Sequence, residues 1–334
     1  MKLASFIKNG HECVGLISGD RLYDIYMMHN GLPGTMLELL ANWDENYASL
    51  LQLSKEIEHQ PQYHNRGLDL DAVELIAPVP HPPSYRDGYA FRQHVETARR
   101  NRGLEMTPIF DAFPVFYFGN HHTIQGQGLV HCMPDHLKKL DFELEAAIVI
   151  SKKGKNIPID KADDYIAGIM ILNDLSARSL QMEEMLLNLG PAKGKDFASA
   201  TGPWLVTLEE LKNKQAACKK NHFGKTWNLK MTASVNRIQV SSGNLSDMEW
   251  TFAEIIVRAS YGVDLFPGDI IGSGTVGTGC FLELNGTEKL NHPDFQEQWL
   301  RPGDQIELGI ESLGILRNTI VLEETDYSIL NLKK

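Results

Sequence analysis

Polar and apolar residues alternate through Asp141-Phe-Glu-Leu-Glu145, and the chain then runs without a polar residue through Ala146-Ala-Ile-Val-Ile150. The alternation predicts a strand with Asp141, Glu143 and Glu145 on one face. The apolar run predicts its buried continuation. Residues 2–7 and 12–17 carry similar short patterns, separated by the turn Lys8-Asn9-Gly10, and Ser18-Gly19-Asp20 is a second turn. Leucines at helical spacing mark one or two amphipathic helices over residues 35–58. The stiff connector Ala77-Pro-Val-Pro-His-Pro-Pro83 follows. It divides a small N-terminal α+β domain, residues 1–78, from a larger one, residues 79–334.

In the larger part, Phe91–Arg100 reads as a helix, 108–118 as an irregular aromatic stretch and 161–165 as a helical turn. Tyr165–Leu172 reads as an apolar strand ending at Asn173-Asp174, and Ser176–Leu187 as a helix with Ser176 as its N-cap. From 203 onward short strands and turns are expected. Pro-Gly-Asp at 267–269 and 302–304 each feed a strand. Gly272–Gly279 is a glycine-rich loop expected between strands, without the strand–loop–helix context of a dinucleotide site. The fold class is α+β and β-rich.

The net charge of −11 excludes a general nucleic-acid surface. Cys13, Cys132, Cys218 and Cys280 are too scattered for a zinc site or a compact disulfide framework, which fits a reduced, cytoplasmic protein. The start of the chain lacks a long apolar segment, and no run approaches the roughly 18 apolar residues of a membrane span. Gly190-Pro-Ala-Lys-Gly-Lys195 is not a P-loop, because Asp196 follows the lysine.

Three acids on one strand face repel one another unless something neutralises them. If the following strand is a neighbour, Asp174 at its end joins Glu143 and Glu145 as oxygen ligands for a magnesium- or manganese-type ion. The competing reading is a solvated strand end, with Asp174 capping the next helix. Arg178 and Gln181 share a helix face, and with Lys195 they suit a substrate carboxylate or enolate, or else simply face solvent. His94 is the candidate general base, against the simpler reading of an exposed histidine. No serine sits in a GxSxG elbow.

Asp141–Glu145, Asn173-Asp-Leu-Ser-Ala-Arg-Ser-Leu-Gln181, Gly190–Phe197 and Gly272–Gly279, in that order, resemble the fumarylacetoacetate hydrolase family over roughly residues 80–320. The resemblance implies a mixed β-roll, a homodimer and a divalent ion, magnesium with manganese or calcium as alternatives. It implies Glu143, Glu145 and Asp174 as metal ligands, with Asp87, seven residues before His94, as a fourth. Arg178, Gln181 and Lys195 match substrate-holding side chains, and Tyr89, Tyr117 and Thr275 match pocket positions. The family's glutamate after Ser-Gly-Thr has no counterpart in Val276–Cys280, and Thr97 stands where short members carry a glutamate, with Glu96 beside it. Either Glu96 partners His94 or the water-activating pair is incomplete.

The leading expectation is a metal-dependent hydrolase. It would cleave a C–C bond in a small 1,3-dioxo or 2-oxo carboxylic acid during the catabolism of aromatic compounds. A decarboxylase, hydratase or isomerase of 2-oxo acids is the first alternative, and a catalytically silent ligand-binding protein the second.

Overall fold

In the computed structural model, which describes residues 1–29 and 31–332, the apolar run lies in the strand Leu144–Ile150. All seven of its residues are buried. It pairs antiparallel with Ile166–Asp174 on one side and with Ile270–Gly272 on the other. A strand covered on both faces has no reason to alternate, which explains the continuous apolar pattern. Ala146, Ile148 and Ile150 face the larger core, whereas Ala147 and Val149 pack with Leu50, Leu53 and Ile57 of the helix Trp43–His59.

The sheet extends beyond these three strands. Ser199–Thr207 pairs with Ile166–Asp174, and Lys2–Lys8 pairs with Ser199–Thr207. The N-terminal meander, Lys2–Lys8, His11–Ser18 and Arg21–Asp24, thus continues the same 12-stranded sheet. At the other end Tyr85–Gly88 runs parallel to Ile270–Gly272, and Phe116–Gly119 forms the edge. A separate five-stranded sheet contains Gln305–Ile310 and Gly314–Leu322, whose Leu308, Leu316 and Ile320 join the larger core. Among the described residues, no helix is long and apolar enough to cross a membrane.

Four local expectations are corrected. The strand predicted through Asp141–Glu145 is broken at Phe142-Glu143. Side chains take the backbone donors there: Phe142 N–H bonds the Asp141 carboxylate at 3.0 Å, and Glu143 N–H bonds Asn173 Oδ1 at 3.2 Å. Ser176 is not a helix cap. It pairs with Asp141 in a two-residue ladder, and the helix begins at Arg178. The C-terminal part contains two helices, Phe252–Ala259 and Phe281–Asn291. The first is signalled by a Thr251/Glu254 capping box, the second by no side-chain cap. Finally, Gly272–Gly279 leads from a strand into a helix rather than between strands.

Candidate active site

Asp87, Glu143, Glu145 and Asp174 converge where three sheet strands end. The register sets Asp87 opposite Gly272, and Leu144 and Glu145 opposite Asn173 and Leu172. Each acid offers an oxygen, and these oxygens lie within 4.8 Å of one another. All four side chains are buried. The glycine-rich loop is shaped by these acids: Gly274 N–H points at Asp87 Oδ1 (3.2 Å) and Glu145 Oε2 (3.0 Å). At Gly272 a Cβ would stand 2.2 Å from Asp87 Oδ1, so any larger residue would displace that carboxylate. The loop therefore has strand–loop–helix context after all, but its donor at Gly274 faces carboxylates and not a phosphate.

Two buried cations answer part of this charge. Lys195 Nζ lies 2.7 Å from Glu143 Oε2 and 2.5 Å from Asp174 Oδ2. Arg178 donates to Asp141 from Nε and to Glu143 from Nη2, at 2.8 and 2.7 Å, and to Gln181 Oε1 from Nη1 at 2.8 Å. All three guanidinium nitrogens thus have protein partners, and Arg178 holds the acid side chains in place. The Gln181 amide N–H₂ remains uncommitted among the described residues. Tyr117 and Ser199 hydroxyls donate to Asp174 at 2.5 and 3.2 Å. Replacing Arg178 by Met would leave two buried carboxylates without their partner. The expected loss is about 3–5 kcal/mol of stability, read as a lower urea midpoint.

Five buried carboxylates, counting Asp141, face two cations, an excess of three negative charges when all are ionised. Burial, with Asp87 and Glu143 nearby, pushes Glu145 well above the ordinary carboxylate range. Burial and Asp174 push Asp87 up to about 7. Burial also raises Asp174, tempered by Lys195. At Glu143 burial is outweighed by Lys195, Arg178 and His94, and its carboxyl is lowered. Glu145 Oε1 is buried without any hydrogen-bond partner. An all-oxygen donor set with surplus negative charge and an orphaned oxygen fits a divalent cation of the magnesium, manganese or calcium type.

A pH dependence follows. Without metal, Asp87 and Glu145 hold protons in the folded state that the unfolded chain releases, from the ordinary carboxylate range up to about 7 for Asp87. The folded state binds more protons in that window, so the contribution of these acids to stability falls as pH rises through it. The melting temperature of chelated protein should therefore drop between about pH 5 and about pH 8, and added divalent ion should restore more at the upper end.

His94 stands on the helix Arg92–Arg100, buried, with Nδ1 2.8 Å from Glu283 Oε2. The other Glu283 oxygen accepts from Thr278 N–H at 2.9 Å. Nδ1 is thereby fixed, and Nε2 is left for proton transfer. His94 lies close enough to act electrostatically on Glu143. The Tyr89 ring meets the imidazole edge-on at 5.6 Å. Thr275 is buried, and its hydroxyl serves the Leu144 carbonyl at 3.3 Å.

Glu96 is not the partner of His94. Two residues along a helix is a rotation of about 200°, which turns it outward. There it pairs with Arg92 at 3.4 Å, half exposed. Glu96→Gln should leave turnover within about twofold, as expected for a solvated surface pair, in a steady-state assay. The carboxylate expected after Ser-Gly-Thr is present at Glu283, on the unforeseen helix. Sequence reasoning missed it because the pair spans 189 positions. The one available signal was an acid set between Leu282 and Leu284.

The profile of the fumarylacetoacetate (FAA) hydrolase C-terminal domain matches residues 84–321. Oxaloacetate tautomerase YisK of Bacillus subtilis (strain 168) is 30% identical over 332 residues, covering 96% of this chain and 100% of the relative. Fumarylacetoacetase of Arabidopsis thaliana is 30% identical over 284 residues, 71% of this chain and 66% of the relative. The solved structure of a probable 2-hydroxyhepta-2,4-diene-1,7-dioate isomerase from Mycobacterium abscessus is similar at a TM-score of 0.67 and 27% identity, covering 97% and 100% of the two chains.

Proposed function

This chain belongs to the fumarylacetoacetate hydrolase family, and from that premise we propose that it catalyses keto–enol proton transfer on a small 2-oxo carboxylic acid, oxaloacetate being the first to test. The observation that carries the proposal is the buried His94–Glu283 pair set beside an acidic cluster suited to a divalent ion.

Glu143, Glu145, Asp174 and Asp87 would hold the ion. When bound, a divalent cation polarises the keto oxygen and the adjacent carboxylate as a Lewis acid. The chain supplies the remainder. Lys195 and the Gln181 amide offer donors to the acid's oxygens. In the enol-to-keto direction His94 Nε2 delivers a proton to the carbon next to the keto group while the enol hydroxyl gives its proton to water. The reverse direction removes the carbon proton and returns one to the oxygen. Glu283 holds the imidazole in the required tautomer and steadies its charged form. Arg178 fixes Glu143. The Tyr89 ring stands edge-on to the His94 imidazole, and the Tyr117 hydroxyl donates to Asp174.

Support also comes from coverage. The tautomerase relative matches this chain over its whole length, whereas the fumarylacetoacetase relative matches over two thirds. The second reading is C–C hydrolysis of a 1,3-dioxo acid, favoured by the same pair, since a histidine held by a glutamate can also deprotonate water. Product mass separates the two. Tautomerisation leaves the mass unchanged, hydrolysis adds water and yields two acids, and decarboxylation releases carbon dioxide. No turnover of any 2-oxo or 1,3-dioxo acid with magnesium or manganese would leave only a ligand-binding role. The same reading takes the working form to be a cytoplasmic homodimer, and light scattering at twice the monomer mass tests the assembly.

A further inference from the structure

Asp141 is fully buried, yet it lies outside the group of acids around the candidate ion site. Three elements meet on its two oxygens. Arg178 donates from Nε at 2.8 Å, and its Nη2 lies in ion-pair range at 2.8 Å. The backbone N–H groups of Phe281 and Leu282 donate at 2.7 and 2.9 Å. Its own neighbour Phe142 donates at 3.0 Å. Phe281 and Leu282 open the helix whose third residue is Glu283, and Cys280, at its N-cap, makes no side-chain bond to it. The first N–H groups of a helix have no partner within the helix and carry partial positive charge. Asp141, 140 positions earlier in the chain, satisfies two of them. The same carboxylate holds Arg178, which holds Glu143. One side chain therefore joins the base pair to the acid cluster.

Resting on the assignment of His94 as the base, we propose that Asp141 is a positioning residue for the His94–Glu283 pair. It sets the first turn of the Glu283 helix, and through Arg178 it fixes the distance between that helix and Glu143. A charge-neutral Asn in its place cannot accept from both the guanidinium and the helix amides without turning its own N–H₂ toward one of them. Glu283 then loses its fixed approach to Nδ1.

The test uses full-length, magnesium-loaded protein and three variants: Asp141→Asn, Glu283→Gln and the two together. The readouts are turnover of enol oxaloacetate, manganese affinity and the hydrogen-bonded His94 Nδ1–H proton resonance. Asp141→Asn should lower kcat about tenfold or more with KM and manganese affinity nearly unchanged, and should weaken or shift the Nδ1–H resonance. The double variant should be no slower than Glu283→Gln alone, because two changes acting through one contact do not add. Independent, additive losses, or an Nδ1–H resonance unchanged in Asp141→Asn, would overturn the proposal. If Glu283→Gln leaves turnover untouched, the base assignment fails instead, while the resonance still decides the positioning. Should Asp141→Asn not fold, amide exchange of the unaltered protein decides. Core-like protection at Phe281 and Leu282 supports the contact, and rapid exchange refutes it.

Discussion

Glu145→Gln should lower divalent-ion affinity by more than about 100-fold and remove turnover with it, since even outer-shell changes at metal sites cost 10–100-fold. The substitution preserves shape and removes one negative charge from a buried cluster that carries too many. Glu145 is fully buried, one of its oxygens has no partner, and Asp87 and Glu143 already push its carboxyl up. The metal-free variant should therefore melt no lower than metal-free wild type, and the added stability that magnesium or manganese gives wild type should disappear. Calorimetric titration of manganese and parallel melting curves check both halves. A variant that loses activity while keeping wild-type metal affinity would place the ion elsewhere.

Glu283→Gln should reduce turnover by about 10²–10⁴-fold, the usual worth of a positioned acid–base group. Metal affinity should not change, because Glu283 is outside the cluster of Asp87, Glu143, Glu145 and Asp174. A glutamine can still accept from Thr278 N–H, so the loop should keep its shape. What it cannot do is stabilise a positively charged imidazole, so the loss belongs in kcat rather than KM. Stopped-flow decay of the enol form, with manganese affinity measured on the same preparation, separates this outcome from a damaged metal site.

The sequence revealed those elements whose pattern is local. Leu144–Ile150 showed itself as an apolar run, Trp43–His59 by leucine spacing, and the meander by its turns. Asp174 could be placed beside Glu143 and Glu145 because sequential strands tend to be neighbours, whereas Asp87 entered only through the family resemblance. The helix Phe281–Asn291 has no side-chain cap of its own, since its cap comes from Asp141, and so it left no start signal. Glu283 was hidden with it. Nothing in the spacing of Arg178 reveals that Asp141, Glu143 and Gln181 each accept one of its hydrogen bonds. The alternation at 141–145 suggested one continuous strand, whereas Asn173 and Asp141 side chains divert its backbone bonds. For Glu283, and for the Arg178 contacts with Asp141 and Glu143, the missing information was a partner far away in sequence.

The central claim is that the acidic cluster and the His94–Glu283 pair together move a proton on a 2-oxo acid. The direct measurement is the decay of enol oxaloacetate absorbance with purified protein, first after chelation and then after titration with magnesium or manganese. The account predicts no acceleration over buffer after chelation, saturable recovery with either ion, and a product of unchanged mass. Full acceleration in the presence of chelator, or recovery accompanied by cleavage into two acids or release of carbon dioxide, would contradict it.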